Sequence, residues 1–139
     1  MQKNRNLVLI MLGFFTFIFL ISPATGDPGL GEHWTEVTQS PGWSGRDFFG
    51  VLAYDNKMWV LPGSGYGGYE NDIWYSSDGI NWAQAVSNAP WLERGYYSAV
   101  VYGGKMWVIG GYDGDFKNDV WYSTNGTNWI RATDNAGWS

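Results

Sequence analysis

The sequence predicts an all-β protein assembled from repeated four-stranded antiparallel units. Three observations carry that expectation. Tryptophans recur at a fixed spacing: Trp43, Trp91 and Trp138 are separated by 48 and 47 residues, and Trp34, Trp82 and Trp129 by the same two intervals. Each repeat divides into four short apolar runs with turn residues between them. No run keeps a 3.6-residue period for ten residues, and 20 glycines interrupt the chain, which argues against helices. Four short strands at a period of roughly 40–50 residues describe a β-propeller blade, a unit that cannot bury its apolar faces alone and must stack on neighbours.

The repeat is closely kept. Arg46–Trp91 and Arg94–Trp138 align as two copies, with 19 of 45 aligned pairs identical. Lys57-Met58-Trp59-Val60 matches Lys105-Met106-Trp107-Val108, and Asn71-Asp72-Ile73-Trp74-Tyr75-Ser76 matches Asn118-Asp119-Val120-Trp121-Tyr122-Ser123. In the second copy the strands are expected over Tyr96–Tyr102, Lys105–Ile109, Asp119–Thr124 and Asn128–Thr133, with a polar loop over Gly110–Asn118. Gly103-Gly104 suits a two-residue hairpin, because glycine reaches positive φ at little cost, and Asp55-Asn56 takes its place in the first copy. Asp78-Gly79 and Asn125-Gly126 signal the hairpin between the last two runs. The apolar residues of Ser98–Tyr102 and Met106–Ile109 are consecutive, as expected where both faces of a sheet are buried between blades. His33–Trp43 repeats only the tail of the unit. The expected organisation is therefore a partial repeat over 32–43, a first full repeat over 44–91 and a second over 92–139.

The first 26 residues read differently. Lys3 and Arg5 precede an apolar run from Leu7 to Ile21, and small residues follow at Ser22, Ala24 and Gly26. Fifteen residues of helix span about 22 Å, short of a bilayer core of about 30 Å. The pattern is that of a secretory signal peptide over 1–26, with an uncleaved anchor as the alternative. The expected location is secreted or cell-surface, with no membrane insertion after cleavage. Residues 27–139 hold six Lys and Arg against thirteen Asp and Glu, a net charge of −7. Such acidity provides no footprint for nucleic acid or for an anionic membrane. There is no cysteine, so neither a disulfide framework nor a lipoprotein anchor is available.

With these residues in place, the chain resembles the Kelch repeat. That repeat has an apolar strand ending in a double glycine, then a Tyr and a Trp at set distances. Gly110-Gly111, Tyr122 and Trp129 match it in the second copy. Tyr75 and Trp82 match in the first, where Pro62-Gly63 replaces the double glycine. The resemblance extends to the secreted Kelch-like proteins of prokaryotes, whose domain is grouped with the galactose oxidase central propeller. It implies a noncatalytic binding scaffold for a protein or glycan ligand. The alternative it implies is a piece of a propeller enzyme, sialidase-like or oxidase-like, with its catalytic residues in other blades.

The candidate chemistries are thin. A copper site of the oxidase type needs two histidines and a cysteine-linked tyrosine, and the chain has His33 alone and no cysteine, too few ligands for copper. Ser76-Ser77-Asp78-Gly79-Ile80-Asn81-Trp82 looks like an Asp-box hairpin one residue short. Arg46, Arg94 and Arg131 equal in number the arginines with which a sialidase holds a carboxylate. Arg46 and Arg94, however, occupy equivalent repeat positions, which suggests a structural role. Asp113-Gly114-Asp115 with Asn118 and Asp119 has the spacing of a calcium loop, but Lys117 stands at a ligand position and no Glu closes it. The expectation is no catalytic residue, no metal and no cofactor.

Aromatics that recur in every copy are expected to pack blade on blade. Those that do not recur, Tyr66, Tyr69, Tyr112 and Phe116, are the candidate ligand-contact residues, because propeller binding faces are built from loops at one end. Asn125-Gly126-Thr127 is an N-glycosylation sequon in a turn. Two blades cannot close a ring, since propellers close with about four to eight. The chain is therefore expected to be part of a larger propeller, with self-assembly as the alternative.

Overall fold

The computed structural model describes residues 34–138. The expected signal peptide and His33 lie outside them. The described residues form eleven strands: β1 (Arg46–Asp47), β2 (Val51–Tyr54), β3 (Lys57–Val60), β4 (Ser64–Gly65), β5 (Gly68–Tyr69), β6 (Ile73–Ser76), β7 (Ala83–Val86), β8 (Ser98–Tyr102), β9 (Lys105–Tyr112), β10 (Phe116–Ser123) and β11 (Trp129–Thr133). Two four-stranded antiparallel sheets, β2-β3-β6-β7 and β8-β9-β10-β11, are the two blades. A small sheet, β1-β4-β5, joins the segment leading into the first blade to the loop between its middle strands.

Local chemistry explains the turns. Asp55 and Asn56 have φ of 52° and 53°, and Gly103 and Gly104 have 58° and 70°, the left-handed pair that a two-residue hairpin requires. At the other hairpin the Ser76 hydroxyl accepts the Gly79 amide at 2.8 Å, and Ser123 does the same for Gly126 at 2.8 Å.

The repeated Asn-Asp-x-Trp ties each blade together. Asp72 accepts from Arg46 at 2.6 Å and from the Trp74 indole at 2.6 Å. Asp119 accepts from Arg94 at 2.5 Å and from Trp121 at 2.9 Å. Asn71 donates to the carbonyls of Ala89 and Trp91 and so holds the outgoing connector against the third strand. Asn118 makes the matching bonds to Ala136 and Trp138.

The side-chain period of two divides each blade into a front and a back face. On the front of the first blade Met58, Val60, Trp74 and Trp82 pack with Trp43, Val37 and Phe49. On its back Leu52, Trp59, Leu61, Ile73 and Tyr75 meet the front of the second blade, Met106, Val108, Trp121 and Trp129, with Trp91 between them. Trp91 lies edge-on to Trp129 with centroids 5.0 Å apart, a favoured aromatic geometry.

Two expectations are corrected. Gly110–Asn118 is mostly strand, not loop: β9 runs to Tyr112 and β10 begins at Phe116, leaving Asp113–Asp115 as the turn. Gly110 and Gly111, at φ 63° and 116°, let the strand bend without ending. A Cβ on Gly110 would lie 2.8 Å from the Lys117 carbonyl. In the first blade Pro62 has no amide hydrogen for the ladder. There β3 stops at Val60, and the extension becomes the separate β4-β5 hairpin. The second correction concerns β8. Its consecutive apolar residues are not covered on both faces: Val100, Val101 and Tyr102 are exposed. No blade lies on the back of the second sheet among the described residues.

Candidate functional site

In an up-and-down sheet the loops alternate between two ends. The tight hairpins 55–56, 78–79, 103–104 and 125–126 share one end. The β3–β6 and β9–β10 loops share the other with the connectors that lead into β2 and β8. This second end gathers four of the exposed aromatics, Phe48, Tyr66, Tyr96 and Phe116.

Its centre is a pair that sequence reasoning missed. Phe48 and Tyr96 occupy equivalent positions in the two repeats. Both have left-handed backbones, φ 49° and 58°. Bulky residues with positive φ are outliers that the surrounding structure must hold in place, and they cluster at functional sites. Their rings stack at 3.8 Å across the junction of the two blades, and the Tyr96 amide donates to the Phe48 carbonyl at 3.1 Å. Both remain about half exposed. Gly95 makes this approach feasible: a Cβ there would lie 3.2 Å from Phe48 and 3.2 Å from the Tyr69 ring.

The structure places the expected contact residues around this pair. Tyr69 adjoins it, and its hydroxyl pKa is raised, first by burial and then by Tyr96, Tyr112, Asp113 and Asp47. Tyr112 is bridged to Gly95 and its ring lies 5.2 Å from Phe116. Phe116 is 91% exposed. Tyr66 stands at the tip of the β4-β5 turn, 97% exposed. One premise needs correction: Tyr69 and Phe116 do recur, because they occupy matching positions 47 residues apart, each opposite the strand that precedes its turn. The signal that could have found Phe48 and Tyr96 is an aromatic directly after the Arg-x of each repeat, at a point where the chain turns.

Most of the polar candidates are committed to the fold. Arg46 and Arg94 are buried against Asp72 and Asp119. Arg131 pairs with Asp134 at the surface, so the three arginines do not converge on a ligand. Asp113 pairs with Lys117 through one oxygen at 2.9 Å and leaves the other buried without a partner, while Asp119 pairs with Arg94. Among the described residues no group of three or more His, Cys, Asp or Glu is placed to hold a metal ion. Asp78 caps its own hairpin, accepting from the Asn81 side-chain amide, from the Asn81 and Ile80 backbone amides and from Ser76, and these bonds hold its pKa well below the usual carboxylate range. Asn125 uses its side-chain oxygen in the same way. No described helix is long and apolar enough to cross a membrane.

The candidate site is therefore an exposed cluster of aromatic side chains at one end of a pair of propeller-type blades. Residues 93–122 match the family model of the Kelch motif. That match and the antiparallel sheets together fit a partial Kelch-type β-propeller. No curated protein matches the chain.

Proposed function

We propose that the chain is a noncatalytic interaction scaffold that grips a protein ligand through the aromatic end of its blades. The stacked Phe48–Tyr96 pair carries this reading. Two large rings are held half-exposed, on strained backbone, across the junction of two rigid sheets. Rigid aromatics of this kind provide large contact area at low entropic cost, and Tyr is favoured in binding hot spots. The Kelch motif at 93–122 supports the same reading. Acidic residues beside the patch, Asp47 and Asp115 among them, favour a ligand with basic or neutral surroundings. The basic start, apolar run and small residues of 1–26 support export from the cytoplasm, and the two blades contribute to a larger propeller.

The test is selection of displayed peptides on the full chain, followed by titration of the best binder against variants. Tyr96→Ser with Phe116→Ser should weaken binding about 10-fold or more. Ile80→Ser, an exposed change at the opposite end, should leave it unchanged. Binders indifferent to Tyr96 and Phe116 would refute the proposed site.

A further inference from the structure

We propose that Asn125 is a modification site, the asparagine at which the second blade carries an N-linked oligosaccharide. The inference rests on the reading of 1–26 as an export signal, because such sequons are used in exported chains.

The two repeats build one turn with different chemistry. Asp78 Oδ1 accepts the backbone amides of Ile80 at 2.9 Å and Asn81 at 2.8 Å. Asn125 Oδ1 accepts those of Thr127 at 3.0 Å and Asn128 at 2.8 Å. One acceptor oxygen satisfies either turn, so the hairpin itself has no need of a carboxamide. What differs is the remaining side-chain atom. Asp78 Oδ2 is engaged by Asn81 Nδ2 at 2.8 Å. The Asn125 side chain is engaged only through Oδ1, so its Nδ2 has no partner among the described residues. Two residues on, Thr127 stands where the first repeat has Ile80 and completes Asn-Gly-Thr. A sequon needs both changes, both fall in the same copy, and no other Asn-x-Ser/Thr occurs in the sequence.

Access is built into the turn. Gly126 is buried against the Trp59 ring, whereas Asn125 and Thr127 on either side of it are exposed. The turn is thus anchored through its glycine and offers the two side chains that define the sequon. Asp78, with the second blade stacked behind its own, is exposed all the same. The access to Asn125 therefore does not depend on what lies behind the second blade. The tight hairpins lie at the end opposite the aromatic cluster, so a bulky, solubilising oligosaccharide there leaves the proposed ligand surface clear.

The chemistry is a group transfer from an oligosaccharide linked to a polyisoprenyl phosphate. Asn125 Nδ2 attacks the anomeric carbon. The N–C bond forms as the bond from that carbon to the phosphate oxygen breaks. The phosphate leaves with the electron pair, and one Nδ2 proton passes to a base of the transferase. Nothing is oxidised or reduced.

The test produces the full chain in a eukaryotic host that glycosylates its exported proteins, once with its own residues 1–26 and once with these exchanged for the host's export signal. The exchange leaves every described residue in place. In the exported chain the tryptic peptide 118–131, which holds Asn125, should carry one oligosaccharide that an amidase for glycosylated asparagine removes. Asn125→Gln and Thr127→Ala should each abolish it, and Thr127→Ser should keep it. Asp78→Asn with Ile80→Thr should add a second oligosaccharide on the first blade, because the turn there is the same. An unmodified Asn125 in the chain exported by the host's signal would overturn the site, as would carbohydrate that persists in Asn125→Gln. Modification under the host's signal but not under residues 1–26 would overturn the export reading and uphold Asn125.

Discussion

Replacing Arg94 with methionine is expected to destabilise the fold by about 3–5 kcal/mol. The guanidinium is almost wholly buried and forms a two-pronged contact with Asp119, at 2.5 and 3.1 Å, and a further bond to the Gly110 carbonyl. Methionine fills similar volume but leaves a mostly buried carboxylate without its cationic partner. Removing one partner of such a pair costs more than the pair contributes, because an uncompensated charge remains. Arg131→Met, which breaks the exposed pair with Asp134, should cost less than about 1 kcal/mol. Guanidinium unfolding midpoints of the two variants measure the contrast, and equal losses would refute it. The pH profile adds a sign. Burial pushes the Asp119 pKa up, but bonds from Arg94 and Trp121 outweigh it, and the net shift is downward. Asp72 shifts the same way, with Arg46 and Trp74 as donors. A carboxyl whose pKa is lowered by folding contributes stability above its unfolded pKa of about 3.9 and loses it as pH falls through the folded value. The native chain should therefore lose stability on acidification below that range. In Arg94→Met the hydrogen bond and charge of Arg94 no longer lower the Asp119 pKa, so stability should fall less steeply on acidification than in the native chain.

Much of the fold was legible because the same physical requirement appears twice in the chain. Gly103-Gly104 and Asp55-Asn56 are different residues at one position. That they share positive φ follows from the hairpin they close. The equivalence of Arg46 and Arg94 pointed correctly to structure, and the salt bridges to Asp72 and Asp119 explain it. The binding end was only half legible, for the same reason. Recurring aromatics were assigned to packing, which holds for Trp59, Trp74 and Trp82. Phe48 and Tyr96 also recur, yet they stack on each other at the surface. Periodicity cannot separate a residue that packs against the next blade from one that packs against its own equivalent in the next blade. Polar composition over Gly110–Asn118 reads as loop and obscures the register: Lys117 pairs with Gly111, and Phe116 with Tyr112. These pairs depend on backbone geometry at Gly110 and Gly111, where the missing side chains admit a bend.

Gly126→Ala is expected to destabilise the chain by about 3 kcal/mol, far beyond the usual effect of one methyl group. Gly126 has φ 75°, and a Cβ on it would lie 2.1 Å from the Trp59 ring of the neighbouring blade. That ring cannot yield cheaply: it is 3% exposed and donates to the Tyr54 carbonyl. The left-handed backbone alone accounts for about 1–2 kcal/mol, and the clash must supply the rest. Gly104→Asn is the informative contrast. Its φ is 70°, nothing lies near its absent Cβ, and the first repeat already carries Asn56 there at φ 53°. It should cost less than about 1 kcal/mol. A double-mutant cycle with Trp59→Leu separates turn from interface. Shortening the ring removes the clash, so Gly126→Ala should then cost only its backbone share, and the two sites should couple by about 1–2 kcal/mol. Additive effects in urea unfolding would mean that Gly126 serves the hairpin alone. Coupling would mean that it is also where one blade seats against the tryptophan of the next. The glycine of the Asn-Gly pair would then be a docking residue as much as a turn residue.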